Sequence, residues 1–145
     1  MGPSDFFTGE QKAQIQAAIK KAELNTSGEI CIHIEGRCRE DVLDRAAFIF
    51  KKLDMHKTRL RNGVLFYLAI NDHKFAILGD AGINAVTPDD FWDQIKVLML
   101  NSFKKDEFTE GLVKGINMAG EQLKTYFPYR ENDINELSDE ISFGE

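Results

Sequence analysis

Residues Val64-Leu65-Phe66-Tyr67-Leu68-Ala69-Ile70 form an unbroken apolar run. A strand that is apolar on both faces must be covered on both, so it belongs inside a sheet with a layer on each side. It is far shorter than the roughly 20 residues that a membrane helix needs. Asn71-Asp72-His73-Lys74 separates this run from Phe75-Ala76-Ile77-Leu78. So short a link can join only antiparallel neighbours, which predicts a hairpin.

Helical patterns surround this pair. Thr8-Gly9-Glu10-Gln11 has the form of a capping box, and Ile15, Ala18, Ile19 and Ala22 follow on one helical face. Ile30, Ile32 and Ile34 alternate with Glu29, Cys31, His33 and Glu35, which predicts a strand with unequal faces near a sheet edge. Val42 to Leu53 returns to helical spacing. Thr87-Pro88-Asp89-Asp90 is expected to open a helix striped by Phe91, Ile95, Leu98 and Met99. Asp106 is expected to cap a last helix that runs to Pro128. The order is α-β-α-β-β-α-α, and a right-handed crossover makes the first two strands parallel. The expected fold class is α/β, a three-layer αβα sandwich around a small mixed sheet.

A chain of 145 residues, 43% of them hydrophobic, suffices for one core. One domain is expected over residues 6–128, followed by an acidic and mostly flexible tail over 129–145. That tail holds Glu131, Asp133, Glu136, Asp139, Glu140 and Glu145 against Arg130, so nearly all of the net charge of −6 lies there. Such a distribution offers no positive footprint for nucleic acid, although the tail is a candidate protein-docking segment. In the tail, Ile134, Leu137 and Ile141 have the spacing of a short helix. Cys31 and Cys38 are too few for a disulfide framework, which suits a reducing compartment. A soluble, cytoplasmic domain without a membrane segment is expected.

The topology gathers polar residues at one end of the sheet. The first strand begins at Ser27-Gly28-Glu29 and the second, parallel to it, at Arg61-Asn62-Gly63. The third returns to the same end at Gly79-Asp80-Ala81-Gly82, with Asn84 close behind. The glycines permit tight turns and close approach. The carboxylate and amide oxygens of Asp80, Glu29, Asn62 and Asn84 form the donor set that a hard cation prefers, Ca²⁺ above Mg²⁺. The plainer alternative is that Gly28, Gly63 and Gly82 serve turns alone, with Arg61 paired to Glu29 or Asp80.

Thr-Ser-Gly-Glu-Ile before the first strand, Arg-Asn-Gly-Val-Leu-Phe-Tyr opening the second, and Ile-Leu-Gly-Asp-Ala-Gly-Ile closing the third together resemble the TPM domain family. The family takes in a thylakoid-lumen acid phosphatase, a photosystem II repair protein, a worm receptor modulator and many bacterial proteins. The resemblance covers about residues 6–127 and rests on three short motifs in order. It implies an αβα sandwich with a polar crevice for a divalent cation, with Asp80 in the crevice and Glu29 and Asn62 beside it. Many members carry an export signal and a hydrophobic anchor, and neither pattern is legible here.

Other chemistry is poorly matched. Cys31-Ile-His-Ile-Glu-Gly-Arg37 spells the C-x5-R of cysteine phosphatases, but Cys31 lies within a strand and Glu35 would put a negative charge where phosphate sits. Cys31, His33 and Cys38 lack a fourth zinc ligand and finger spacing, so a half-buried cysteine and an exposed histidine are expected. His56 and His73 stand near turns. A metal-assisted acid phosphatase in the same crevice is the alternative function. There a phosphorylated ligand would meet Arg61, and Asp80 would be ligand or nucleophile. The sequence offers no base with a partner for that reaction.

Overall fold

The computed structural model describes residues 2–129 and 136–144. Thr8 caps α1 (Gly9–Glu23) reciprocally with Gln11, as the capping box predicts. The chain continues through β1 (Glu29–Glu35), α2 (Val42–Lys52), β2 (Gly63–Ala69), β3 (Lys74–Gly79) and the single turn α3 (Ala81–Asn84). The helices α4 (Asp93–Lys104) and α5 (Phe108–Leu123) follow, and then β4 (Ser142–Gly144).

The sheet order is β3-β2-β1-β4. β1 pairs in parallel with β2, Glu29 opposite Gly63, and β2 pairs antiparallel with β3. Each face of the sheet has its own apolar cluster. Ile30, Ile32, Ile34, Val64, Phe66 and Leu68 pack against α1, α4 and α5. Cys31, Leu65, Tyr67 and Ala76 pack against Ala46, Ile49 and Phe50 of α2. The αβα sandwich read from the sequence is therefore the observed architecture. No helix among the described residues is long and apolar enough to cross a membrane.

The structure corrects several local expectations. β1 is not at an edge, because β4 pairs with it in parallel, His33 opposite Ser142. Every β1 residue is buried, and His33, read as exposed, is 4% accessible. Residues 136–144 of the tail pack against the body: Leu137, Ile141 and Phe143 join the two clusters, and no helix forms over these residues. Ile134 and the acids Glu131, Asp133 and Glu145 lie outside the described residues. α4 begins at Asp93, not at Pro88, because residues 88–93 close two separate turns, Phe91 N–H to the Pro88 carbonyl at 3.1 Å and Asp93 N–H to the Asp90 carbonyl at 3.0 Å, before helical bonding starts. Asp106 adopts a left-handed conformation (φ 60°) in the turn that closes α4, and Glu107 precedes α5 without a side-chain cap.

Candidate functional site

The three strand ends meet as the topology requires. The Glu29 amide donates to the Asn62 carbonyl at 3.2 Å, and the Asp80 amide donates to the Gly63 carbonyl at 3.0 Å. The Asn62 side-chain amide donates to the Ser27 carbonyl at 3.1 Å. Asn84 donates to the Gly79 carbonyl at 3.1 Å. Using their N–H groups in this way leaves the amide oxygens of Asn62 and Asn84 as acceptors. Gly82 is required by close approach: a Cβ there would lie 2.2 Å from the Leu60 carbonyl oxygen. Its amide donates to the Arg61 carbonyl, which draws the third corner against the second.

The carboxylates at this end have separate partners. Asp80 is 6% accessible and accepts a bidentate pair from Arg61, Nε to Oδ2 at 2.7 Å and Nη2 to Oδ1 at 2.8 Å. It also accepts the Ala81 amide at 2.7 Å as the cap of α3. Of the two pairings open to Arg61, the structure shows the one with Asp80. The Arg61 side chain is half exposed and its backbone is left-handed (φ 52°).

Glu29 is buried and faces the tail. Its Oε1 accepts the Leu137 amide at 2.7 Å. The Leu137 side chain fills the space above Gly63, 3.7 Å from where a Cβ would stand. Burial pushes the Glu29 carboxyl up to about 7, outweighing the bonds from the Leu137 and Glu136 amides, and the nearby acids Glu136 and Asp139 add to the rise. Glu23, whose carboxylate accepts the Ile30 amide, is pushed to about 9 by burial and by Asp139. The sequence-read set therefore resolves into two environments, Asp80 clamped by Arg61 and Glu29 under Leu137. No group of three His, Cys, Asp or Glu side chains among the described residues is arranged to hold a metal.

A second polar centre lies further along β1, where alternation suggested a solvent face. Ser142 Oγ is 2.7 Å from His33 Nδ1, and His33 Nε2 is 3.0 Å from Glu35 Oε1. Tyr67 donates to Glu35 Oε2 at 2.5 Å, and Arg45 binds both carboxylate oxygens. Burial disfavours the Glu35 charge, but the bonds from Arg45, Tyr67 and His33 prevail and hold its carboxyl near 2. Burial lowers His33, against the opposing pull of Glu35. Burial also pushes the Cys31 thiol to about 12, which leaves it inert as a nucleophile.

The family model described as TPM domain matches residues 2–122, a span that takes in all three corners. The chain belongs to the TPM domain family. Among solved structures, the BA42 protein of the psychrophilic bacterium Bizionia argentinensis superposes with a TM-score of 0.91 at 48% identity, covering 96% of each chain. The N-terminal domain of cg2496 from Corynebacterium glutamicum matches with a TM-score of 0.63 at 11% identity, over 96% of this chain and 80% of that one. The N-terminal domain of a protein from P. gingivalis matches with a TM-score of 0.70 at 14% identity, over 87% and 83%. The last two likenesses speak for the fold alone. No functionally curated protein matches the chain. The strand-end motifs of this TPM domain are thus the three corners that meet around Asn62 and Asp80.

Proposed function

We propose that this TPM domain is a divalent-cation-binding module whose ligand set centres on Asp80, with Arg61 as the resident positive charge that the ion displaces. The observation that carries the reading is a buried carboxylate where the third corner meets the second, neutralised by a guanidinium that is itself half exposed. An exposed arginine can swing into water at small cost, whereas a buried carboxylate left without a counter-charge cannot stay ionised cheaply. The oxygens of Asp80, Asn62 and Asn84 suit Ca²⁺ best, since it accepts many oxygen ligands in irregular geometry, and Mg²⁺ less well. Glu29 faces Leu137, so it serves as a ligand only if the tail segment lifts.

A titration of the full chain with Ca²⁺, and separately with Mg²⁺, tests this by backbone amide shifts. Saturable shifts are expected at residues 27–29, 61–63 and 79–84. Asp80→Asn should weaken binding by at least about tenfold through loss of a ligand charge. Arg61→Gln should bind more tightly than wild type, because it removes the competing charge. Shifts absent from these segments, or Asp80→Asn binding as wild type does, would overturn the reading. An aryl phosphate assayed on the same samples separates cation binding from hydrolysis.

A further inference from the structure

The hydrogen bonds around His33 fix which way its ring is protonated. Glu35 is ionised, so it can only accept, and the proton facing it must therefore be on His33 Nε2. Nδ1 then carries the lone pair, and the Ser142 hydroxyl, 2.7 Å away, is the donor to it. A hydroxyl donating to a neutral imidazole whose far side is held by a carboxylate is the arrangement that activates a serine nucleophile. Here the base is Nδ1 and the oriented nitrogen is Nε2. Glu35 is in turn locked by Tyr67 and Arg45, so the ring has little freedom to turn.

The serine is also reachable. Ser142 is only partly buried, and it lies on the wall of a cleft of about 450 Å³. Arg37, Arg45 and Lys52 line that cleft along with Glu35. Arg45 is committed to Glu35 and lies 3.8 Å from Glu40, and Arg37 lies 3.7 Å from Asp72, so Lys52 is the lining cation outside any ion pair among the described residues. Arg37 and Lys52 are exposed. The Lys52 ammonium is the group in this cleft left to attract an anionic substrate. None of these residues belongs to the Asp80 crevice, so the two sites stand or fall separately.

We propose that Ser142, His33 and Glu35 form a nucleophile, base and positioning residue for hydrolysis of carboxylic esters that carry a negative charge. Ser142 Oγ bonds to the ester carbonyl carbon as its proton passes to His33 Nδ1. The carbon–oxygen bond to the leaving alcohol breaks, and His33 returns the proton to that alcohol. Water, deprotonated by the same nitrogen, then attacks the acyl-serine. The carboxylic acid leaves and the Ser142 hydroxyl is restored. Glu35 keeps the Nε2 proton in place throughout and offsets the imidazolium charge.

The test uses the full chain with a tagged fluorophosphonate and with two aryl esters, 4-nitrophenyl acetate and the anionic 4-nitrophenyl hemisuccinate. The wild type should be labelled once, at Ser142, by mass spectrometry. It should turn over the hemisuccinate at least about tenfold faster than the acetate in kcat/KM. Ser142→Ala should lose both labelling and turnover while keeping the wild-type amide spectrum, and Lys52→Gln should erode the preference for the anionic ester. Wild-type protein that resists labelling and shows no more turnover than Ser142→Ala overturns the proposal. So does labelling at any other residue. Because the wild type itself must react, misfolding of a variant cannot rescue the idea.

Discussion

Replacing Glu29 by glutamine should change how stability depends on pH, and the size of the change follows from the site. The carboxyl of Glu29 rises from 4.5 to about 7 in the folded state, chiefly through burial. Between those values the folded protein holds a proton that the unfolded chain has lost, so stability falls as pH rises through the window. The shift corresponds to a total loss of about 3 kcal/mol at 25 °C, of which about 2 kcal/mol falls between roughly pH 5.5 and pH 7.5. The substituted amide is neutral at every pH and still offers an oxygen to the Leu137 N–H, so the packing over Gly63 can persist. Urea unfolding of wild type and Glu29→Gln at the two pH values isolates the effect, since titrating groups distant from Glu29 cancel in the difference. The variant should be the more stable protein at both, and its lead should widen by about 2 kcal/mol toward higher pH. A lead that stays constant with pH, or shrinks, would show that Glu29 is ionised in the folded protein.

Other substitutions probe the remaining parts of the structure. Gly82→Ala should destabilise by roughly 2–4 kcal/mol, because the new Cβ meets the backbone carbonyls of Leu60 and Arg61, which cannot yield independently; a urea midpoint measured against wild type reads this. Thr8→Ala breaks the capping box of α1 and should cost about 1 kcal/mol in the same assay, with unchanged sensitivity to denaturant. Tyr67→Phe removes one donor to Glu35, so the Glu35 carboxyl should rise from about 2 toward about 3 in a carboxyl carbon NMR titration. The stability that ionised Glu35 contributes exists above its unfolded value near 4.5 and is lost as pH falls toward about 2, so the variant should also lose less on acidification.

What the chain reveals on its own is local pattern and chain direction. The Thr8–Gln11 box, the β2–β3 hairpin and the parallel β1–β2 pair all follow from spacing within a few residues or from the reach of a link. The meeting of Asn62 and Asp80 follows from strand direction alone. β1 is harder because Glu29, His33 and Glu35 alternate as a wet face would, and nothing nearby announces that a segment over a hundred residues away covers them. A serine that pairs with a histidine at that separation leaves no periodic trace. The start of α4 misleads for a smaller reason, since the residues after Thr87 close two turns of their own before the helix begins at Asp93. The division of the carboxylates between Arg61 and Leu137 needs side-chain geometry, because either pairing of Arg61 satisfies the spacing.

The three-residue strand Ser142–Gly144 has a consequence for how the molecule comes into being. It joins β1 only after synthesis has run more than a hundred residues past it. At typical ribosomal speeds that interval lasts several seconds or longer, while the nascent sheet stands with one bare flank of amides and carbonyls. Ladder contacts so distant in sequence are entropically slow to make, and a seam only three residues long is among the first to part when the fold breathes. Chaperones and self-association would therefore meet this chain first at the flank where β4 later docks.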